Sequence, residues 1–404
     1  MTRGRRTSLR VAARLAVVVI GGWWMLGAAA AHESLEPEAR QRSAAIDAGG
    51  PLVLAYYYIW FEERSWERAK IDLPVLGPYA SSDPAVIAQH VAWARAAGID
   101  ALIVSWKHEP RLDGPLATLV ESARGAGLRL ILLYQGLDFA RQPLKVEKVT
   151  TDLAWFLATY GRDPVFDVYG APAIIFSGSP SFTTEAVGLV RSAVDAAGPA
   201  LLLGSERDAE SYTARRELLD GDAYYWSSVD PERDRGYATR LRELADAIRA
   251  DGGLWLAPVA PGFDARLIGG SRVIERADGE VYRAEWATAL ATEPDGLAVI
   301  SWNEFSENSH IEPSHTFGSR YLELTAELVR DTLGRPAATD PARAHPSGAV
   351  PAQTAAPVVS EPGSGGLAGR LVGPAAAIVV LAPVLLLALR ARRQRRAGEP
   401  GPRP

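Results

Sequence analysis

Two glutamates three residues apart, Glu304 and Glu307, stand just past an apolar run that ends in Ile300-Ser301-Trp302. Where the chain turns helically, residues at this spacing point the same way, so the two carboxyl groups would share one face. One protonated and one ionised carboxyl are what cleavage of a glycosidic bond requires. Aromatic and polar residues at the ends of other apolar runs would complete such a site. They are Tyr57, Tyr58 and Trp60; Trp106 and Lys107; Tyr134; Trp226; Phe263, Asp264 and Arg266; and, beside the glutamates, Trp302, Asn303, His310 and Glu312. Sugar rings offer an apolar C–H face to Trp and Tyr, and their hydroxyls bond to acids, amides and bases. His310 is expected to bond to sugar or to orient Glu307, and Glu312 to hold the loop or a distal sugar. The spacing of His310, Glu312 and His315 is not that of the helical two-histidine zinc motif, and the chain has no cysteine. Neither a metal nor another cofactor is expected.

Such residues need a scaffold that gathers the ends of many strands. Short, nearly continuous apolar runs predict eight of them: Leu52–Tyr58, Ala101–Ser105, Arg129–Tyr134, Ala173–Ser177, Ala200–Gly204, Ala223–Trp226, Leu254–Val259 and Leu297–Trp302. Runs apolar throughout suit parallel strands covered on both faces. Amphipathic stretches alternate with them: Pro84–Ala97, Leu116–Ala126, Val146–Tyr160, Glu185–Ala197, Ala209–Leu219, Tyr237–Ala250, Val281–Thr292 and Arg320–Leu333. Several end at Gly, which takes the left-handed conformation a helix stop needs. Eight strands alternating with eight helices predict a single α/β domain, a (β/α)8 TIM barrel over residues 32–335. An open doubly wound sheet usually stops at five or six strands. In a barrel, catalytic groups collect at the C-terminal strand ends, where the residues named above fall.

Charge is unevenly spread over the 404 residues. Arg3, Arg5, Arg6, Arg10 and Arg14 crowd one end and Arg390, Arg392, Arg393, Arg395 and Arg396 the other, so the body is more acidic than the overall net charge of −5. An acidic body argues against nucleic acid as a partner. The first cluster precedes an apolar run, Leu15 to Leu26, and a small-residue zone through Ala31. That is the layout of a signal peptide, assigned to residues 1–31. Residues 336–370 are rich in Ala, Pro, Gly and Ser and read as a flexible linker. The uncharged run 371–389 is about long enough to cross a bilayer, and the basic tail 390–404 would stay cytoplasmic. The expected location is the cell membrane, single-pass, with the barrel on the extracytoplasmic side.

The segment Ile300-Ser301-Trp302-Asn303-Glu304-Phe305-Ser306-Glu307-Asn308-Ser309-His310-Ile311-Glu312-Pro313 resembles the Asn-Glu-Trp-x-Glu-x-x-x-Ile-Glu signature of family 99 glycoside hydrolases. That family includes endo-α-1,2-mannosidases, and the signature also marks related WbsX-type proteins. Other landmarks follow in the family's order: Tyr57-Tyr58-Ile59-Trp60, Gly77-Pro78-Tyr79, Ala97-Gly98-Ile99-Asp100, Ser105-Trp106 and Pro261-Gly262-Phe263-Asp264. The resemblance implies a TIM barrel and a retaining, endo-acting glycosidase. It also implies that Glu304 acts as base on the substrate's own 2-hydroxyl while Glu307 protonates the leaving oxygen and then activates water. The chain departs from the family at Tyr134-Gln135-Gly136-Leu137-Asp138, where a His-x-Glu-Pro-Tyr type segment is usual, and at Phe263, Phe305 and Ser306. The resemblance implies that these positions line sugar subsites, which leaves the sugar open.

The expected substrate is an α-linked cell-surface or environmental polysaccharide or glycan. Two alternatives stand beside hydrolysis: a noncatalytic carbohydrate-binding envelope protein on the same scaffold, and a transglycosylase or glycosyltransferase-like protein of polysaccharide assembly. No Gly-rich phosphate loop is present to hold a nucleotide sugar for the last of these.

Overall fold

A computed structural model describes residues 50–335. The segments expected to be a signal peptide, a linker, a membrane helix and a basic tail lie outside the described residues. Among the described residues no helix is long and apolar enough to cross a membrane.

Eight parallel strands close a barrel: β1 (Leu52–Tyr58), β2 (Ala101–Trp106), β3 (Arg129–Gln135), β4 (Ala173–Ser177), β5 (Leu201–Gly204), β6 (Gly221–Ala223), β7 (Leu254–Val259) and β10 (Gly296–Val299). Each pairs with the next along the chain, and β10 returns to β1 with Leu52 opposite Gly296 and Ala55 opposite Val299. Two short strands, β8 (Phe263–Asp264) and β9 (Val273–Ile274), form an antiparallel hairpin in the loop after β7. The helices are α1 (Pro84–Ala96), α2 (Pro110–Ala126), α3 (Val146–Tyr160), α4 (Thr184–Ala197), α5 (Ala209–Thr213), α6 (Tyr237–Ala250), α7 (Glu280–Leu290) and α8 (Arg320–Leu333).

Local chemistry explains the boundaries. Asp83 accepts a hydrogen bond from the Ala85 amide and caps α1, with Pro84 in its first turn. Helices α2 and α8 stop at Gly127 and Gly334, whose φ of 67° and 65° a side chain would resist. Three expectations shift. Helix α2 starts at Pro110 rather than Leu116, with Pro115 buried inside it. Strand β6 is Gly221–Ala223, not Ala223–Trp226, and its central residue Asp222 is fully buried. The last strand ends at Val299, three residues early, and a cis peptide joins Ile300 to Ser301.

Alternation along the strands divides the core. Val53, Ala55 and Tyr57 of β1, Leu102, Val104 and Trp106 of β2, and Leu130, Leu132 and Tyr134 of β3 join one apolar cluster with Val91 of α1, Leu116 of α2 and Phe156 of α3. Leu54, Tyr56 and Tyr58 therefore face the barrel lumen. This parity determines which aromatic residues reach the mouth.

Candidate active site

Glu304 and Glu307 sit in the tight loop after β10, in a hydrogen-bonded turn rather than a helix. The loop is pinned at its base. The Ser301 amide donates to the Ser309 carbonyl at 2.8 Å, the Ile311 amide to the Ser301 carbonyl at 2.9 Å, and the Glu304 amide to Ser301 Oγ at 2.8 Å. The β8–β9 hairpin braces it, because the Asp264 amide donates to the Glu307 carbonyl at 2.7 Å. On its other side Phe305 stacks on His310, with ring centroids 4.0 Å apart, and meets the edge of Trp66.

Asn303 ties this loop to the first strand. Its Oδ1 accepts from the Tyr58 amide and its Nδ2 donates to the Tyr58 carbonyl, both at 2.9 Å. The side chain thereby takes the place of a strand neighbour after β10 has ended. Behind it lies a buried polar chain: Tyr57 hydroxyl to His90 Nδ1 at 3.0 Å, His90 Nε2 to Glu312 Oε1 at 3.1 Å, and Tyr79 hydroxyl to Glu312 Oε2 at 2.9 Å. Every member is partnered, the condition under which such a network is rigid rather than costly.

The two acids differ from their surroundings. Glu304 is 4% exposed and accepts one bond from the Ser306 amide at 3.1 Å; burial pushes its carboxyl up to about 7, against the opposing pull of that bond and of Lys70. Glu307 is 1% exposed, and neither carboxyl oxygen has a hydrogen-bond partner among the described residues. Burial first, then the negative charge of Glu304, raises its proton affinity far above the usual carboxylate range, while Arg141 opposes this. A buried carboxyl without a partner costs about 1–3 kcal/mol, so it marks a place kept for something other than stability.

Across the lumen the Tyr58 and Tyr225 hydroxyls lie 2.5 Å apart, and burial together with the fields of both glutamates keeps them protonated. Trp60 stacks on Tyr58 at 4.4 Å. The mouth thus holds an acid pair whose proton affinities are pushed apart, two phenols and an aromatic wall. That arrangement can move protons onto and off a bound sugar. If both acids work, the pH profile of kcat/KM is expected to be bell-shaped. Activity should rise with pH through a limb near 7 as Glu304 loses its proton, then fall at higher pH as Glu307 loses its own. Initial rates across pH 4–10 would check this, the limbs belonging to the pair. A profile flat from pH 5 to 9 would exclude titration of this pair.

Other expected residues are placed differently. Tyr57, Trp106 and Tyr134 face the helices: Tyr57 bonds to His90, the Trp106 Nε1 donates to Asp113 at 2.9 Å, and the Tyr134 hydroxyl donates to Asp152 at 3.0 Å. Trp302 is fully buried against His90, and its Nε1 has no partner among the described residues. His310 contacts Asp72 and Phe305 rather than the Glu307 carboxyl, whose oxygens have no hydrogen-bond partner among the described residues. His310 is 1% exposed with Nε2 3.4 Å from Asp72, a contact longer than a good hydrogen bond, and burial pushes it down to about 4, so the imidazole is neutral. Glu312 holds the loop through Tyr79 and His90.

Phe263 is buried in the hairpin, Asp264 is ion-paired with Arg266, and Arg266 is otherwise exposed. Lys107 pairs with Glu109 at 3.1 Å and lies over the exposed Phe139. Trp226 is half-buried, with its Nε1 bonded to Ser228.

Tyr225, Arg141 and Lys70 were not expected here. Tyr225 adjoins Trp226 at the end of an apolar run, so it left a trace in the sequence. The two cations come from loops with no pattern of their own. Among the described residues no group of three His, Asp or Glu is arranged to hold a metal ion.

No family model matches the chain. A curated relative, the rat glycoprotein endo-α-1,2-mannosidase (Rattus norvegicus), is 22% identical over 280 residues, which are 62% of this chain. The match spans 59% of that protein's length. Among solved structures, the GH99 endo-α-mannosidase from Bacteroides thetaiotaomicron aligns with a TM-score of 0.61 at 20% identity, over 69% of this chain and 96% of that one. A glycoside hydrolase-like protein aligns at 0.56 and 14% identity, over 69% and 93%. Identities this low establish the fold. The chain is a (β/α)8 barrel that resembles the family 99 glycoside hydrolases in both sequence and fold.

Proposed function

We propose that this protein is a retaining, endo-acting glycoside hydrolase for an α-linked polysaccharide or glycan. The observation that carries the reading is the pair of buried acids at the barrel mouth, with Glu307 unpartnered beside Glu304. In the first step Glu304 takes the proton of the sugar's 2-hydroxyl and that oxygen attacks the anomeric carbon. The glycosidic bond breaks, and its oxygen leaves with the proton of Glu307. In the second step water gives a proton to Glu307 and attacks the same carbon. The 1,2-anhydro ring opens, and O2 recovers its proton from Glu304. Two inversions at one carbon retain the configuration, with no nucleophile from the protein, a substrate-assisted exception to the usual scheme.

The likeness to endo-α-mannosidases supports an endo mode of cleavage. The N-terminal arginines with their apolar run, and the apolar run 371–389 with its basic tail, support an exported body tethered to the membrane. Digestion of a library of α-linked glycans, with product anomers followed by NMR, tests the reading. Internal cleavage with retained configuration is expected. No cleavage by the wild type, or inverted products, would refute it.

A further inference from the structure

The body carries more acid than base, and its arginines are mostly matched to acids, as in Arg124–Asp163, Arg191–Asp220, Arg215–Glu206 and Arg266–Asp264. Others, such as Arg276, bond to carbonyls instead, and three cations with no ion pair among the described residues gather at the mouth. Lys70 is half-buried, and its ammonium donates to the Ser65 carbonyl at 3.0 Å but to no carboxylate among the described residues; the acid whose field it feels is Glu304. Arg207, exposed just past β5, has no ion pair among the described residues. Arg141 is the most telling. It is half-buried, its Nη2 is sealed from solvent without a hydrogen-bond partner, and it lies within the fields of Glu307, Tyr225 and Arg207.

The placement of Arg141 is built into its loop. After β3 the chain folds into a tight turn in which the Arg141 amide donates to the Asp138 carbonyl at 3.0 Å, while the Gln142 amide meets Asp138 Oδ1 at 2.8 Å. The Leu144 amide closes the loop on the Gly136 carbonyl at 2.9 Å. Arg141 itself has φ of 62°, a left-handed conformation uncommon for a residue with a side chain and maintained where the surroundings impose it. This is also where the chain departs from the family's usual segment after the third strand.

A fixed guanidinium with an unmet donor, beside an acid that burial keeps neutral, has no counter-charge among the described residues. A planar fork of donors is matched by a carboxylate, sulfate or phosphate. We propose that the glycan taken at this mouth is anionic, carrying an acidic group that Arg141 binds on the sugar beside Glu307. Lys70 and Arg207 add a cationic rim. The inference rests on the hydrolase reading for its site, but its test does not need turnover.

The whole chain with Glu304→Gln, solubilised in detergent, is run through gels containing α-linked polygalacturonate, dextran sulfate, phosphomannan, neutral α-mannan or dextran. Retardation by at least one acidic polymer, stronger than by either neutral one and weakened by raised NaCl, is expected. Which polymer retards the chain identifies the acidic group as carboxylate, sulfate or phosphate. Adding Arg141→Gln should weaken that binding about 10- to 100-fold, while Arg141→Lys keeps part of it. Equal retardation by neutral polymers, no retardation at all, or binding of polyanions that Arg141→Gln leaves unchanged would overturn the proposal. If Arg141→Gln fails to melt cooperatively, the lysine variant and the salt dependence of the parent decide. Cleavage by the wild type is scored separately. Turnover of neutral glycans alone would sink the anionic inference and leave the hydrolase; salt-sensitive, Arg141-dependent binding without turnover would do the reverse.

Discussion

Glu304→Gln should lower kcat by about a thousandfold or more, within the range general acid–base groups contribute, while leaving the fold intact. Glu307→Gln should cost a similar factor on natural glycans. The two variants part on substrates with a good leaving group, which departs without a proton: Glu307→Gln should recover most of its first step there, and Glu304→Gln should not. Single-turnover rates on a natural glycan and on its aryl or fluoride analogue would check this. Recovery by Glu304→Gln instead would exchange the two roles. A second signature comes from stability. Burial raises both carboxyls in the folded chain above their unfolded values. The folded state therefore holds protons the unfolded state has released, and stability falls as pH climbs from the ordinary carboxylate range through about 7. Glutamine cannot ionise, so Glu304→Gln should melt higher than wild type at pH 8 and differ least near pH 4.

Arg276→Met should destabilise the body by about 3 kcal/mol or more and lower kcat about a hundredfold with little change in KM. Arg276 is 5% exposed, and its Nη2 donates to the Asn308 carbonyl at 3.0 Å and the His310 carbonyl at 2.8 Å. Its guanidinium lies over the Phe317 and Tyr321 rings, 4.2 and 4.3 Å from their centroids. Burial pulls its proton affinity down to about 10, still far above neutrality, so the cation persists. Methionine fills the volume but leaves two buried carbonyls unmet, just past Glu307. A melting curve beside steady-state kinetics separates the outcomes. A loss of activity with unchanged melting would mean that Arg276 meets the substrate directly rather than shaping the loop.

The alternation of apolar runs and amphipathic stretches carried the barrel, because strands covered on both faces look the same wherever they occur. It failed at β6, where Gly221-Asp222-Ala223 looks like a turn and Tyr224-Tyr225-Trp226 looks like a strand. Asp222 is tolerated because, in register with Trp255 on the helix-facing side, its Oδ2 accepts from the Glu206 amide at 2.7 Å. The acid pair was legible as two glutamates past an apolar run with Trp302 and Asn303 alongside. Which aromatics accompany it was not. A run such as Val53-Leu54-Ala55-Tyr56-Tyr57-Tyr58 is apolar at every step, so nothing in it says that Tyr56 and Tyr58 turn inward while Tyr57 turns toward His90. Trp106 and Tyr134 mislead in the same way. Lys70 and Arg141 escaped because their roles come from loops far from the signature, brought in only by closure.

That closure has a consequence at the seam. Beyond Val299 the seam between the first and last strands is continued by the Trp302 amide, which donates to the Tyr56 carbonyl at 2.8 Å, and then by the amide of Asn303 clasping the Tyr58 backbone on both sides. The residue that fastens the ring is next in the chain to Glu304, so closing the barrel and seating that carboxyl are one event. A molecule that had folded everything except its last strand would hold the aromatic wall of Tyr58, Trp60 and Tyr225 and neither of the two buried carboxyls. During synthesis the chain would remain inert until its eighth barrel strand locks in.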